Sequence, residues 1–251
     1  MTALLIVLGI VYGLITAALV RRDLEVVILL VGLVLLCTGS YRGLFVTPPE
    51  VHMADVQRIF FIHVPTAWNA LLVATGAFVL AIGALLNRRR GWDAAMEASV
   101  EVALVLTVML CIQGAIWARP TWGAWWTWDY RLTTSAIMGV ALAGVLSLRS
   151  FLEQYDRRVA WTAVATIIAY VDVPIVYMSV KWWGGMHQMQ STPATVSSTY
   201  HFPLRVNAFA ILMIATWLVI RRARLALARD ARRADHNPPE STGAELIAGV
   251  E

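Results

Sequence analysis

The chain has 251 residues, 59% hydrophobic and 14% charged, with a mean hydropathy of +0.67, and these values exclude a soluble globular domain. The formal net charge of +4 would suggest anionic partners in a soluble protein, but here the distribution of the charge matters more than its sum.

Met1 to Val20 carries no basic segment ahead of its apolar run, and Arg21 and Arg22 follow it, so this reads as a retained segment and not a cleaved signal peptide. Apolar runs then recur at 4–20, 24–46, 66–86, 99–118, 133–152, 159–180 and 205–220. A bilayer core of about 30 Å takes about 20 apolar residues per helix, so the expectation is an all-α polytopic transmembrane bundle and not a barrel of about 10-residue strands. The run at 4–20 is short and contains glycine. Cys37 and Cys111 both fall inside apolar runs and read as small packing residues, and no C-x-x-C-H is present to attach a haem covalently.

Cations alternate between the links. Arg21, Arg22, Arg88, Arg89, Arg90, Arg149, Arg157, Arg158, Arg221, Arg222, Arg224, Arg229, Arg232 and Arg233 fall on one side. The other side has Arg42, Arg58, Arg119, Arg131, Lys181 and Arg205. The richer side is expected in the cytoplasm, which puts the N-terminus outside and the C-terminus inside. A transmembrane domain over 1–223 and a cytoplasmic tail over 224–251 follow, the tail past His236-Asn237-Pro238-Pro239 reading as disordered. No Walker motif or Gly-rich phosphate loop is visible, so the chain supplies no ATPase of its own.

On this orientation the outer stretches Tyr41 to His63, Arg119 to Thr133 and Lys181 to Pro203 hold the chemistry, and the inner links look brief and bland. The middle stretch places Trp122, Trp125, Trp126 and Trp128 within seven positions. As a short helix it would put Trp122, Trp125, Trp126 and Asp129 on one face, an aromatic shelf ending in a carboxylate. A membrane-interface belt explains one or two tryptophans; four, with Gly123 for close approach and Asp129 and Arg131 adjacent, point to a planar ligand. Pro65 is expected in the first turn of the helix that follows His63, and a helix N-terminus biases the imidazole towards the neutral, metal-ligating form. His187 lies in an outer loop behind Trp182 and Trp183; His52 and His201 are also outside but have no motif around them. Asp172 lies deep in its apolar run two residues before Pro174, where a protonated carboxyl would satisfy the carbonyl that the proline frees.

The ending W-W-x-W-D-x-R-L-T at Trp125 to Thr133 resembles the tryptophan-rich signature of the haem exporter protein C (CcmC) family of the multi-subunit cytochrome c maturation system. Arg58-Ile59-Phe60-Phe61-Ile62-His63-Val64-Pro65 resembles that family's first histidine segment, and Lys181-Trp182-Trp183-Gly184-Gly185-Met186-His187-Gln188 resembles its second. Together the three pieces cover the chain from about Val31 to Trp217. The resemblance implies a six-helix core, here with one extra N-terminal apolar helix, in a bacterial inner membrane with the site facing the periplasm. It implies haem b held by His63 and His187 as iron ligands. Trp122, Gly123, Trp125, Trp126, Trp128 and Asp129 would form the haem platform, with Trp182, Trp183 and Pro65 behind the ligands. Arg58, Arg119, Arg131 and Arg205 would face the propionates or orient the site, although snorkelling to headgroups is an equal reading for each. The implied partners are haem, a membrane-anchored haem chaperone resembling CcmE, ABC-transporter-like subunits, a small single-span subunit and membrane lipid; nucleic acid is not among them.

Such a protein positions a cofactor for a partner, and calling it an enzyme overstates what its residues provide. Two other classes stay open. A b-type cytochrome subunit would need histidine pairs inside transmembrane helices, and the sequence reading finds no core histidine in any helix. A transporter of haem or another small solute would need broken helices in related positions of two halves, and Asp172-Val173-Pro174 has no counterpart.

Overall fold

The structure, a computed structural model, describes residues 9, 11–13, 25–87, 89–192 and 194–236. Among them the only strand-type pairing is an isolated bridge between Glu50 and Ala54. Helix α1 (Glu25–Tyr41) runs into a π turn over Arg42–Val46, and a 3-10 turn over Asp55–Ile59 leads into α2 (Phe60–Asn87). Then follow α3 (Arg90–Trp122), α4 (Tyr130–Phe151), α5 (Tyr155–Tyr170), α6 (Asp172–Trp183) and α7 (Ser198–His236).

Six stretches are long and apolar enough to cross a membrane, with α5 and α6 forming one of them across the break at Val171. The all-α bundle with a six-helix core is therefore what the chain forms. The N-terminal run at 4–20 lies outside the described residues except for 9 and 11–13, which are helical; the Tyr12 ring is buried over Gly76 of α2, where a Cβ would collide with it.

The helices outrun the apolar runs that mark them: α3 begins at Arg90, α2 at Phe60, and α7 continues without interruption past Ala223, with Ala226 and Asp230 still buried. Charged helix ends survive because other helices supply their partners. Helix α2 is the most enclosed, with Ala70, Val73, Ala77, Leu80, Ala81 and Ala84 fully buried, and such small residues let backbones approach closely. At Gly83 the approach is complete, since a Cβ there would overlap the Trp92 ring. Val26, Val27, Leu30 and Val34 of α1 and Ile112 and Ile116 of α3 face outwards, which suits a hydrocarbon solvent.

One end of the bundle is closed by ion pairs. Asp93, Glu97 and Glu101 recur every four residues on α3 and so share one face. Arg149 of α4 forks onto Asp93 with two bonds of 2.8 Å and also reaches Glu97 at 2.9 Å. Arg229 of α7 forks onto Glu97 at 2.9 and 2.8 Å, and Arg222 pairs with Glu101. Arg158 of α5 meets Asp230 at 3.2 Å, and its guanidinium lies 5.4 Å from the Tyr155 ring centre. Arg149, Arg158, Asp93 and Glu97 are all buried. The links at this end, expected to be bland, are not: the acids and arginines that bracket them fasten four helices together.

Asp172 does not behave as the sequence suggests. Its Oδ2 is buried and has no hydrogen-bond partner among the described residues, so it does not cap the carbonyl freed by Pro174. The helix instead breaks at Val171, the turn between α5 and α6.

Candidate functional site

At the opposite end of the bundle α2, α3, α4, α6 and the loop after α6 surround a cleft with an empty volume of about 1130 Å³, open mouth included. His63, Trp117, Trp122, Trp126, Arg131 and His187 all line it. Its floor is apolar, formed by Leu71, Leu110, Leu132 and Val176. An apolar cleft with a few converging polar groups is the form that ligand sites take.

His63 is a residue of α2 itself, in its first turn, and is only 6% exposed. This corrects the expectation that no helix carries a core histidine, and it moves Pro65 from the first turn to the second. The helix starts earlier because the 3-10 turn ahead of it is braced by Arg58, which donates to Asp55 at 2.7 Å and to the carbonyls of Gly43 and Thr47 at 2.9 and 3.2 Å. The His63 ring stands edge-on to Trp117 with centroids 5.5 Å apart, and its Nδ1 is buried without a hydrogen-bond partner. Gly114 makes room for it, since a Cβ there would stand 3.3 Å from His63 Cε1.

His187 comes from the loop after α6 and meets the indole of Trp122 edge-on at 6.3 Å. Its Nδ1–H donates to the Gln188 carbonyl at 2.9 Å, which leaves Nε2 with its lone pair for a metal. Burial holds the imidazole below its ordinary value; the bond to Gln188 opposes that shift and the nearby Arg131 cation adds to it, so the neutral, ligating form is favoured.

The tryptophan stretch is not a helix. Gly123 takes a left-handed conformation (φ 80°) and closes α3 by donating to the Arg119 carbonyl at 3.0 Å; an irregular segment then runs to Asp129. Trp122 and Trp126 therefore line the cleft, while Trp125 (61% exposed) and Trp128 (81% exposed) point away from it. Trp182 and Trp183 are exposed and stack edge-on against each other outside the cleft.

Asp129 joins the two halves of the site. Its side chain caps α4 by accepting from the Arg131 N–H at 2.9 Å, and its second oxygen accepts from the Met186 N–H at 2.7 Å, next to His187. Gly185 (φ 122°) permits the contact, because a Cβ there would fall 2.1 Å from Asp129 Oδ2. Arg131 is the one predicted cation that lines the cleft; it donates to the Tyr177 carbonyl at 3.1 Å and leaves its Nε buried without a partner. Arg58 is spent on loop carbonyls, Arg119 donates to the Gly123 carbonyl, and Arg205 is exposed on α7. His52 is exposed in the loop after α1, and His201 donates to the Val196 carbonyl at 3.0 Å; neither lines the cleft.

Sequence reasoning missed Trp68, Trp117, Cys111 and Tyr177 as lining residues. The only trace of two of them is nearness in sequence, Trp117 five residues before Trp122 and Trp68 five after His63, a spacing that does not share a helix face. The donor set fits haem. It offers two imidazoles on one cleft, indole walls, an apolar floor and one guanidinium with a free N–H for a carboxylate.

The model of the family described as Heme exporter protein C matches residues 2–237 of the chain. A protein named Heme exporter protein C from Haemophilus influenzae is 31% identical over 206 residues, 80% of this chain and 84% of that protein. Its counterpart of the same name from Escherichia coli is 30% identical over 207 residues, 80% of this chain and 83% of its own. Another of that name from Paracoccus denitrificans is 32% identical over 209 residues, covering 78% and 86%.

Proposed function

The chain belongs to the heme exporter protein C family, and from that premise we propose that it is a multi-pass inner-membrane protein that holds haem b in the cleft between His63 and His187 and hands it to a membrane-anchored haem chaperone resembling CcmE. One observation carries the reading: two histidines from segments far apart in the chain, one in a helix and one in a loop, converge on a cleft walled by Trp122 and Trp126.

In this reading each residue has a distinct task. The imidazoles of His63 and His187 would hold the haem iron. Trp122 and Trp126 cover porphyrin surface, Arg131 takes a propionate, and Asp129 orients the site by tying the start of α4 to the His187 loop. Gly123 lets the chain turn from α3 into the platform. Trp125 and Trp128, with Trp182 and Trp183, form an exposed aromatic rim suited to the headgroup region or to the chaperone. Arg58, Arg119 and Arg205 act as braces or headgroup contacts and not as propionate ligands. The cleft lies at the end where the six scarcer cations fall, which supports a periplasmic site and a cytoplasmic C-terminus. ABC-transporter-like subunits and a small single-span subunit would complete the assembly. No bond is made or broken by these residues alone; the chemistry is coordination and release.

The test is the absorption spectrum and haem-to-protein ratio of the purified protein, alone and with the chaperone. His63→Ala and His187→Ala should each lose most of the haem, and His52→Ala and His201→Ala should keep it. Full occupancy in the His63→Ala, His187→Ala double variant would sink the ligand assignment.

A further inference from the structure

His63 sits between two buried amides that no part of the haem reading uses. Pro65 has no N–H, so the carbonyl of Phe61, four residues earlier, has no partner within α2, and the proline ring presses against that same carbonyl. A buried backbone carbonyl left unpaired costs free energy comparable to a lost hydrogen bond, and such a site is where a helix bends. Asn207 of α7, fully buried, donates its Nδ2–H to the Phe61 carbonyl at 2.8 Å. The reverse link stands two turns further along: Asn69 of α2, 3% exposed, donates to its own helix at the Pro65 carbonyl (2.8 Å) and to the Ala208 carbonyl of α7 (3.0 Å). Glycine at position 39 of α1 lets Asn207 occupy its place, because a Cβ there would fall 2.2 Å from the Asn207 Oδ1.

We propose that Asn207 and Asn69 form a reciprocal amide clamp between α2 and α7 that fixes the depth and direction of His63 in the cleft, Asn207 being a positioning residue for the iron ligand; this rests on the reading of His63 as that ligand. The clamp brackets the histidine, with the Phe61 carbonyl two residues before it and Asn69 six residues after it. With the Phe61 carbonyl held, the proline bend has one value; released, the first turn of α2 can swing about Pro65 and change where the His63 ring sits in the cleft. The proline and the asparagine are therefore one device: the first removes an intrahelical bond, and the second replaces it from another helix.

The test is a double-mutant cycle on purified protein, read as reduced-haem absorption spectrum and haem per folded protein, with folding checked by size-exclusion chromatography. Asn207→Leu keeps the branched outline of the side chain and removes the donor; it should lower haem retention by about tenfold and shift the reduced bands, the size expected when a buried acceptor loses its partner. Pro65→Ala returns an N–H to the Phe61 carbonyl and is the reference against which the double variant is read. Asn207→Leu combined with Pro65→Ala should recover most of the lost haem and the parent spectrum, because the helix now satisfies its own carbonyl. A purely packing role for Asn207 predicts no such recovery, so multiplying losses would overturn the clamp. If Asn207→Leu alone fails to fold, recovery of a folded, parent-like spectrum in the double variant supports the proposal, and failure of the double variant overturns it. His63→Ala is run in parallel. Haem loss there with an unchanged Asn207→Leu spectrum refutes the clamp alone, whereas a parent spectrum in His63→Ala refutes the ligand reading and the clamp with it.

Discussion

Where α3 begins, Arg149 and Arg229 fork onto Asp93 and Glu97, and the charges cancel inside the bundle; where α3 ends, His63 Nδ1, Trp117 Nε1, Trp126 Nε1 and Arg131 Nε are buried with no protein partner. The same helix thus serves two designs. Its first turns pair carboxylates with guanidiniums across α3, α4 and α7, which fixes the helices and neutralises their charges, although Arg149 Nε and Ser99 Oγ there have no partner among the described residues. Its last turns place aromatic and imidazole nitrogens around a cleft and satisfy only those that orient the site, such as His187 Nδ1 and the Asp129 oxygens. The comparison separates residues that hold the helices together from residues that line the cleft.

The largest effect expected is on the ion-paired end. Arg149→Ala strands the buried Asp93 carboxylate and leaves Glu97 with Arg229 alone, and should destabilise the fold by about 3–5 kcal/mol, seen as a lowered midpoint in thermal unfolding in detergent. Haem bound per folded molecule should stay unchanged; if it falls while the midpoint holds, the two ends are coupled and the separation fails. The histidine end should give the mirror image. His63→Ala, His187→Ala should remove nearly all haem and leave the midpoint of the haem-free protein within about 1 kcal/mol of the parent, since neither ring supports another element through a strong bond.

A smaller loss is expected from Gly185→Ala. The added Cβ would overlap Asp129 Oδ2 on a backbone with φ 122°, so the Met186 N–H should lose its acceptor and the His187 loop its anchor. The expected readout is a partial haem deficit with a heterogeneous spectrum, and a parent spectrum would show that Asp129 only caps α4. The smallest effect separates the tryptophans: Trp126→Ala should reduce haem content by an amount corresponding to about 1 kcal/mol, and Trp125→Ala by less, because only Trp126 lines the cleft. Equal losses, or a failure of delivery to the chaperone with normal haem content, would reassign the exposed rings to partner docking.

What the sequence determined by itself were the features that depend on local composition and order. Runs of apolar residues long enough for a bilayer had to become helices, because no other backbone arrangement satisfies its polar groups there, and all six described spans coincide with such runs. The three motifs marked His63, the Trp122 to Asp129 stretch and His187 as one candidate site, and the cleft does bring His63, Trp122, Trp126 and His187 together. Gly123 was read as allowing close approach when its left-handed φ ends the helix and splits the shelf, so two of the four rings turn outward. The four-residue spacing of Asp93, Glu97 and Glu101 was visible too, but an acid near a helix end reads as solvated until another helix brings an arginine to it.

Only the tertiary structure decided which polar groups are partnered and which are not. Arg58 and Arg131 look alike in sequence, both beside a site motif, yet one is consumed by the Gly43 and Thr47 carbonyls and the other faces the cleft. Asn207 carries no signal in the sequence, because its value depends on a carbonyl that Pro65 frees far away along the chain and that helix packing delivers to it. Periodicity and propensity act over a few residues, so they specify helices and their ends. Pairing across helices depends on the depth and rotation of each helix against its neighbours, and that is settled only when small residues such as Gly39 and Gly83 let the packed bundle close.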